Sequence, residues 1–350
     1  MKTKLLPALL IGLLAFFLGF LSHSFWSKNE APNQASLPVS EKSKVPSSDD
    51  AKLVAKKLTQ PLAGNENPSR LSKLKKRLRN QILQNTKELV KVQSVYFRDL
   101  TNGDVYVYNE DELFSPSSLM KVPIMIAAFK AEEISTGFLE KSVEFKEGVS
   151  EKKFGSKMLG NFETKLINGN TYTIMQLIEF MIIYSDNEAT MSILNQLQSF
   201  DASLIKKVEL DLGMNIPVIS NERDNVLNVK KYSTFFRTLY HASYLNEKHS
   251  SQALKILTES NYGFGLRQAI PKEITVAHKF GVNVLNKDEL QLHHFGIVYH
   301  NKKPFILGIM TKGKNEDQLK KAIFNVAELV YKEVDEKANT GNGKLELDIE

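Results

Sequence analysis

The sequence predicts an α/β fold in two lobes: a mostly antiparallel sheet built from both chain ends and packed with helices, beside an all-helical lobe. Three observations carry this. Strand-like runs stand early, at residues 94–99 and 105–109, and again late, at 274–282, 292–299 and 305–311. Between them, residues 118–241 read as mostly helical, with apolar side chains at helical spacing. Strands at both ends with helices between imply one shared sheet, not two independent domains.

Taken in order, the chain opens with Lys2 and Lys4 ahead of an apolar run over 5–21. A basic start followed by such a run targets the chain for export. The run is about as long as a short membrane span, and residues 22–26 offer no small-x-small cleavage site. Residues 1–26 are therefore expected to stay as an anchor, with a cleaved signal as the alternative. Either way the rest of the chain faces outward, on the extracytoplasmic side of the cell envelope.

Residues 27–70 are rich in Ser, Pro, Lys, Asn and Asp and lack apolar periodicity, which reads as a solvated linker. From 71 the pattern changes. Leu71, Leu74, Leu78, Ile82 and Leu89 fall mostly three or four apart, as on one amphipathic helix. The runs at 94–99 and 105–109 flank Thr-Asn-Gly-Asp, a hairpin signal. Thr173 with Gln176 forms a capping-box pattern at the head of a further helix. Asn301-Lys302-Lys303 turns the chain between the last two strands, and an amphipathic helix over 316–334 follows. A globular domain over 71–337 and a polar tail over 338–350 complete the division.

Bulk properties exclude several functions. At 350 residues, 42% hydrophobic and 25% charged, the chain can bury a sizeable core. Its net charge of +6 is small, and 70–79 alone carries six basic residues without an acidic one. No basic face interleaved with aromatics suggests nucleic acid as a partner. The absence of cysteine rules out disulfides and thiol catalysis. His293 and His294 are adjacent on a strand, so they point to opposite faces, and no carboxylate cluster completes a metal site. They read as ordinary core or surface histidines.

Chemistry concentrates at three places. Ser-x-x-Lys occurs at Ser72, Ser118, Ser150 and Ser203, so the pattern alone means nothing. Only Ser118 follows a strand pair and opens a strongly apolar helix, over 119–129. Three residues is nearly one helical turn, which sets the Lys121 amine beside the Ser118 hydroxyl. A serine needs an adjacent base to become a nucleophile, and a partly desolvated lysine can be that base. Ser185-Asp186-Asn187 is the single such triplet in the chain; a plain helix–helix turn is its blander reading. His278-Lys279-Phe280-Gly281 lies in an alternating strand-like run, where a surface lysine and a bulge glycine is the blander reading.

Each bland reading is credible alone, but not all three in this order. Ser118, Ser185 and Lys279, 67 and 94 residues apart, resemble the S-x-x-K, S-D-N and K-T-G set of class A β-lactamases and penicillin-binding proteins. Phe114, Val122-Pro123 and Glu188-Ala189 are similar to that family too. The resemblance implies that Ser118 attacks an amide carbonyl of a β-lactam or a peptidoglycan peptide, with Lys121 as its base or relay. It implies that Ser185 passes a proton to the leaving nitrogen, Asn187 binds the acylamide side chain, and Asp186 fixes the turn. Lys279 would supply positive charge, and the N–H groups of Ser118 and Val282 the oxyanion hole. The resembled chemistry needs no metal or cofactor, and a monomer is expected.

Two departures stand out. Phe280 replaces the Thr or Ser of K-T-G, between Lys279 and Gly281, so a hydroxyl that would help hold a substrate carboxylate is missing. The glutamate that frees the acyl-enzyme in class A β-lactamases has no clear counterpart: Asp224, not a glutamate, stands four before Asn228. Glu222 or Asp224 is a candidate base, against a plain surface loop. Without one the acyl-enzyme would persist, as in a penicillin-binding protein. A catalytically weak wall-binding module that keeps the fold is the alternative function.

Overall fold

The structure is a computed structural model that describes residues 53–54, 71–147, 164–214, 225–286 and 288–340. The expected anchor, nearly all of the expected linker, the end of the tail, and Glu222 and Asp224 lie outside the described residues. Among the described residues no helix is long and apolar enough to cross a membrane.

Five strands form one antiparallel sheet in the order β2-β1-β7-β6-β5: β1 (Val92–Asp99), β2 (Val105–Tyr108), β5 (Val276–Asn286), β6 (Glu289–Val298) and β7 (Phe305–Gly313). Strand β1 pairs with the central β7 from Val92↔Lys312 to Asp99↔Phe305, so the two chain ends do share one sheet. β5 and β6 run further than their sequence signals, staying paired as far as Asn286↔Glu289.

One face of the sheet is covered by α1 (Ser72–Glu88) and α9 (Glu316–Thr340). Leu74, Leu78 and Ile82 of α1 are fully buried there, each contributing about 1.5–3 kcal/mol. Arg77 of α1 pairs with Glu333 of α9. The last helix extends to residue 340, beyond the expected 334. Within the expected linker, Val54 is buried against the opposite core and the Leu53 carbonyl accepts the Tyr299 hydroxyl at 3.0 Å.

The other face carries the helical lobe. Its centre is α2 (Lys121–Ile134), apolar nearly all round and therefore buried, with Pro123 tolerated in its first turn. A short ribbon of β3 (Ser142–Glu144) and β4 (Thr171–Thr173) leads into α3 (Ile174–Ile183), α4 (Asn187–Asp201) and α5 (Leu204–Asp211). The capping box is formed as its pattern predicts: the Gln176 N–H donates to Thr173 Oγ1 at 3.2 Å, and the Thr173 N–H to Gln176 Oε1 at 2.9 Å. The helices continue past residue 241, with α6 (Val229–Tyr240), α7 (Glu247–Thr258) and α8 (Leu266–Ala269).

Candidate active site

Ser118 does not open the apolar helix directly. It sits in a 3₁₀ turn, Ser117–Met120, that feeds into α2. Ser117 takes a left-handed φ of 51°, a conformation that costs a non-glycine residue about 1–3 kcal/mol and must be held by its surroundings. Three contacts hold it. The Ser117 hydroxyl donates to the Val282 carbonyl, the Leu119 N–H to the Pro116 carbonyl at 3.1 Å, and the Tyr232 hydroxyl to the Leu119 carbonyl at 2.8 Å. Strand β5 presses on the turn at Gly281, where a Cβ would lie 3.2 Å from the Leu119 nitrogen and 3.3 Å from the Pro116 oxygen. A glycine is what this approach admits.

Lys121 is buried, and its amine is the hub of the site. Nζ lies 3.1 Å from Ser118 Oγ, 3.1 Å from Ser185 Oγ, 2.7 Å from the Ser185 carbonyl and 2.6 Å from Asn187 Oδ1. Ser185 occupies the turn between α3 and α4 with a φ of 57°, again left-handed. Asp186 locks that turn. Its Oδ1 caps the Ala189 N–H at 2.9 Å, and its Oδ2 accepts the Thr164 hydroxyl and the Lys165 N–H, both at 2.8 Å. From the other side, Lys279 Nζ on β5 donates to Ser185 Oγ at 3.0 Å and to the Phe280 carbonyl at 3.1 Å. Burial, with Lys121 nearby, holds the Lys279 amine well below the usual lysine range.

Ser118, Lys121, Ser185, Asn187 and Lys279, from four elements, thus form one connected cluster. Ser118 and Asn187 are half-buried while Ser185 and Lys279 are buried, so the reactive edge faces outward from a dry base. A hydroxyl beside one amine, and a second hydroxyl bridging that amine to another, can pass a proton from nucleophile to leaving group. Val282 is half-buried next to the nucleophile turn. Phe280 is not directed at open solvent: it is 3% exposed and its ring stacks on Tyr262.

Sequence reasoning missed the supports around Ser115. Its N–H donates to Gln291 Oε1 at 2.9 Å, its Oγ accepts Asn283 Nδ2 at 2.8 Å, and its carbonyl meets His293 Nε2 at 3.0 Å. Gln291 in turn donates to Asn225 at 2.9 Å, and Phe114 bridges Leu227, which ties the end of the 215–228 segment to the nucleophile turn. No motif marks these residues; only the strand register brings them together. His293 and His294 do point to opposite faces. His293 lies edge-on to Phe114, its pKa pushed down to about 3 by burial, and His294 bonds His278 at 3.0 Å. Among the described residues no His, Asp and Glu group could hold a metal ion.

The model of the beta-lactamase enzyme family matches residues 73–334. Among solved structures, a point mutant of PBP-A, an acyl-enzyme complex with penicillin G, aligns with a TM-score of 0.64 at 20% identity. That alignment covers 76% of this chain and 97% of PBP-A. A beta-lactamase from Francisella tularensis aligns with a TM-score of 0.62 at 19% identity, covering 75% of this chain and 99% of its own. A class A beta-lactamase from Mycobacterium abscessus gives 0.61 at 16% identity, covering 74% and 99%. No curated protein sequence matches the chain.

Proposed function

The chain belongs to the beta-lactamase enzyme family, and we propose that it is a serine hydrolase forming an acyl-enzyme at Ser118 on β-lactam or related cell-wall peptide amides. One observation carries the reading: a single buried amine, Lys121 Nζ, lies 3.1 Å from both Ser118 Oγ and Ser185 Oγ, with Lys279 behind Ser185. In this mechanism the Lys121 amine takes the Ser118 proton as Oγ bonds to the carbonyl carbon. The proton passes through Ser185 Oγ to the leaving nitrogen, the C–N bond breaks, and an ester remains on Ser118. Lys279 keeps the Ser185 hydroxyl oriented, since it donates to that oxygen and leaves the Ser185 proton free to travel. The resemblance assigns the oxyanion to the N–H groups of Ser118 and Val282, and the acylamide side chain to Asn187. Such preorganised donors act most strongly where water is excluded.

Hydrolysis of the ester then requires a base for water. Glu222 and Asp224 are the candidates; if neither serves, the ester persists and the protein binds penicillin without turning it over. Intact-protein mass spectrometry over time, with a penicillin and with an acyl phosphonate, separates these outcomes. A covalent adduct lost in Ser118→Ala is expected. Equal labelling of the alanine variant, or no labelling by either reagent, overturns the assignment.

We further propose that residues 1–26 anchor the domain, as a monomer, on the outer side of the membrane, because the apolar run lacks a cleavage site. Full-length chain should resist alkaline extraction from membranes. A soluble form starting near Ser27 or Ala31 would show a cleaved signal instead.

A further inference from the structure

The Lys279 amine is engaged within the protein. Its Nζ donates to Ser185 Oγ and to the Phe280 carbonyl, and stands 4.2 Å from the centroid of the Phe280 ring. Both side chains are buried, so the ring fills the space on that side of the amine.

The ring is held there. Phe280 stacks on Tyr262 at 3.8 Å between centroids and 11° between planes. Tyr262 belongs to the connection between α7 and α8, which is tied at both ends. Its Asn261 N–H donates to the Ile183 carbonyl at 3.1 Å, two residues from Ser185, and its Leu266 N–H to His294 Nδ1 at 3.3 Å. Gly265, at a left-handed φ of 58°, lets the loop settle: a Cβ would lie 3.0 Å from Ile323 and 3.3 Å from His294.

The neighbouring basic groups are committed elsewhere. His294, opposite Phe280 on β6, has its second nitrogen on His278, and burial holds its pKa well below the histidine range, so it stays neutral. The Arg267 guanidinium donates to the carbonyls of Ile270, Pro271 and Lys272. Lys320 lies over the exposed Phe264 ring and pairs with Glu316 at 2.8 Å.

Resting on the acyl-enzyme reading above, we infer that Tyr262 and Phe280 determine specificity, and that the site takes acyl donors that are neutral and apolar where β-lactams carry their carboxylate. An anion there would find a buried amine that already donates to Ser185 and to the Phe280 carbonyl, with the Phe280 ring packed against it. A neutral group would keep both contacts intact.

Penicillin G and its methyl ester test this, because they share one reactive ring and differ in that charge. Second-order acylation rates should favour the ester in the native protein by about ten-fold or more, the worth of one charge-assisted hydrogen bond. Phe280→Thr, and separately Tyr262→Ala, should shift the ester-to-acid ratio about ten-fold toward the acid. A native protein that prefers the acid, or a ratio unmoved in both folded variants, overturns the inference. The native ratio decides alone if neither variant folds. Labelling of Ser118 by the phosphonate but by neither penicillin overturns the inference and leaves the nucleophile standing. Labelling by none of the three overturns both.

Discussion

Glu209 on α5 gives the fold a dependence on pH that a single substitution should remove. Its carboxyl is fully buried, and neither oxygen has a hydrogen-bond partner among the described residues. Lys206 pairs with it at 3.8 Å, longer than a hydrogen bond. Burial, opposed by Lys206, raises the Glu209 pKa from 4.5 to about 7. An acid with a raised folded-state pKa weakens the fold as it ionises. The fold is therefore at full strength below pH 4.5 as far as this group is concerned, and loses stability as pH climbs from 4.5 through 7. The full shift would amount to about 3 kcal/mol at ~1.4 kcal/mol per unit, and because part of that loss has already occurred at pH 5, about 2 kcal/mol of it is expected between pH 5 and pH 8. Glu209→Gln keeps the shape and cannot ionise. Urea unfolding at pH 5 and pH 8 should show the native protein losing about 2 kcal/mol more than the variant. Parallel losses in the two proteins would refute the argument and mean that water or Lys206 fully compensates the charged carboxylate.

Other changes probe the site itself. Ser185→Ala removes the acceptor shared by Lys121 and Lys279, so acylation of Ser118 should fall on the order of a hundred-fold or more while far-ultraviolet circular dichroism is retained. Gly281→Ala sets a methyl 3.2 Å from the Leu119 nitrogen and should displace the nucleophile turn. Acylation should slow about ten-fold with a small change in Tm; an unchanged rate would show that the turn yields freely. Tyr262→Phe deletes a buried hydroxyl that has no partner among the described residues, so thermal unfolding should move up or stay level, and a clear drop would reveal a hidden bond.

Much of this was legible in the sequence, and the reasons differ by element. The shared sheet followed from strand-like runs at both ends, and Thr173–Gln176 announced its helix because capping is a local contact. Ser118, Lys121, Ser185 and Lys279 could be singled out by type and order, and the structure brings them together. The helices after residue 241 were not foreseen: Ser250 and Ser251 are buried in α7, so its inward face is only partly apolar and the periodic signal is weak. The β3–β4 ribbon is three residues long on each side, too short to alternate. The role of Ser115 depends on Gln291 and His293, 176 and 178 residues away, and no local pattern encodes such a partnership. Phe280 was visible as a departure, but its partner Tyr262 was not, since a stack across 18 residues leaves no periodic trace.

The pairing of β1 with β7 also constrains how the molecule comes into being. About two hundred residues separate the two strands, so closing that ladder carries a large loop entropy and makes folding slow. A chain that emerges amino end first must hold β1 and β2 as an unsatisfied hairpin until β7 follows. Lys279 arrives in the same late stretch, and with it the last contact to Ser185. The nucleophile therefore has its full set of neighbours only in a finished chain. A truncated or half-emerged product would present an open sheet edge, prone to misassembly, and an unassembled proton path.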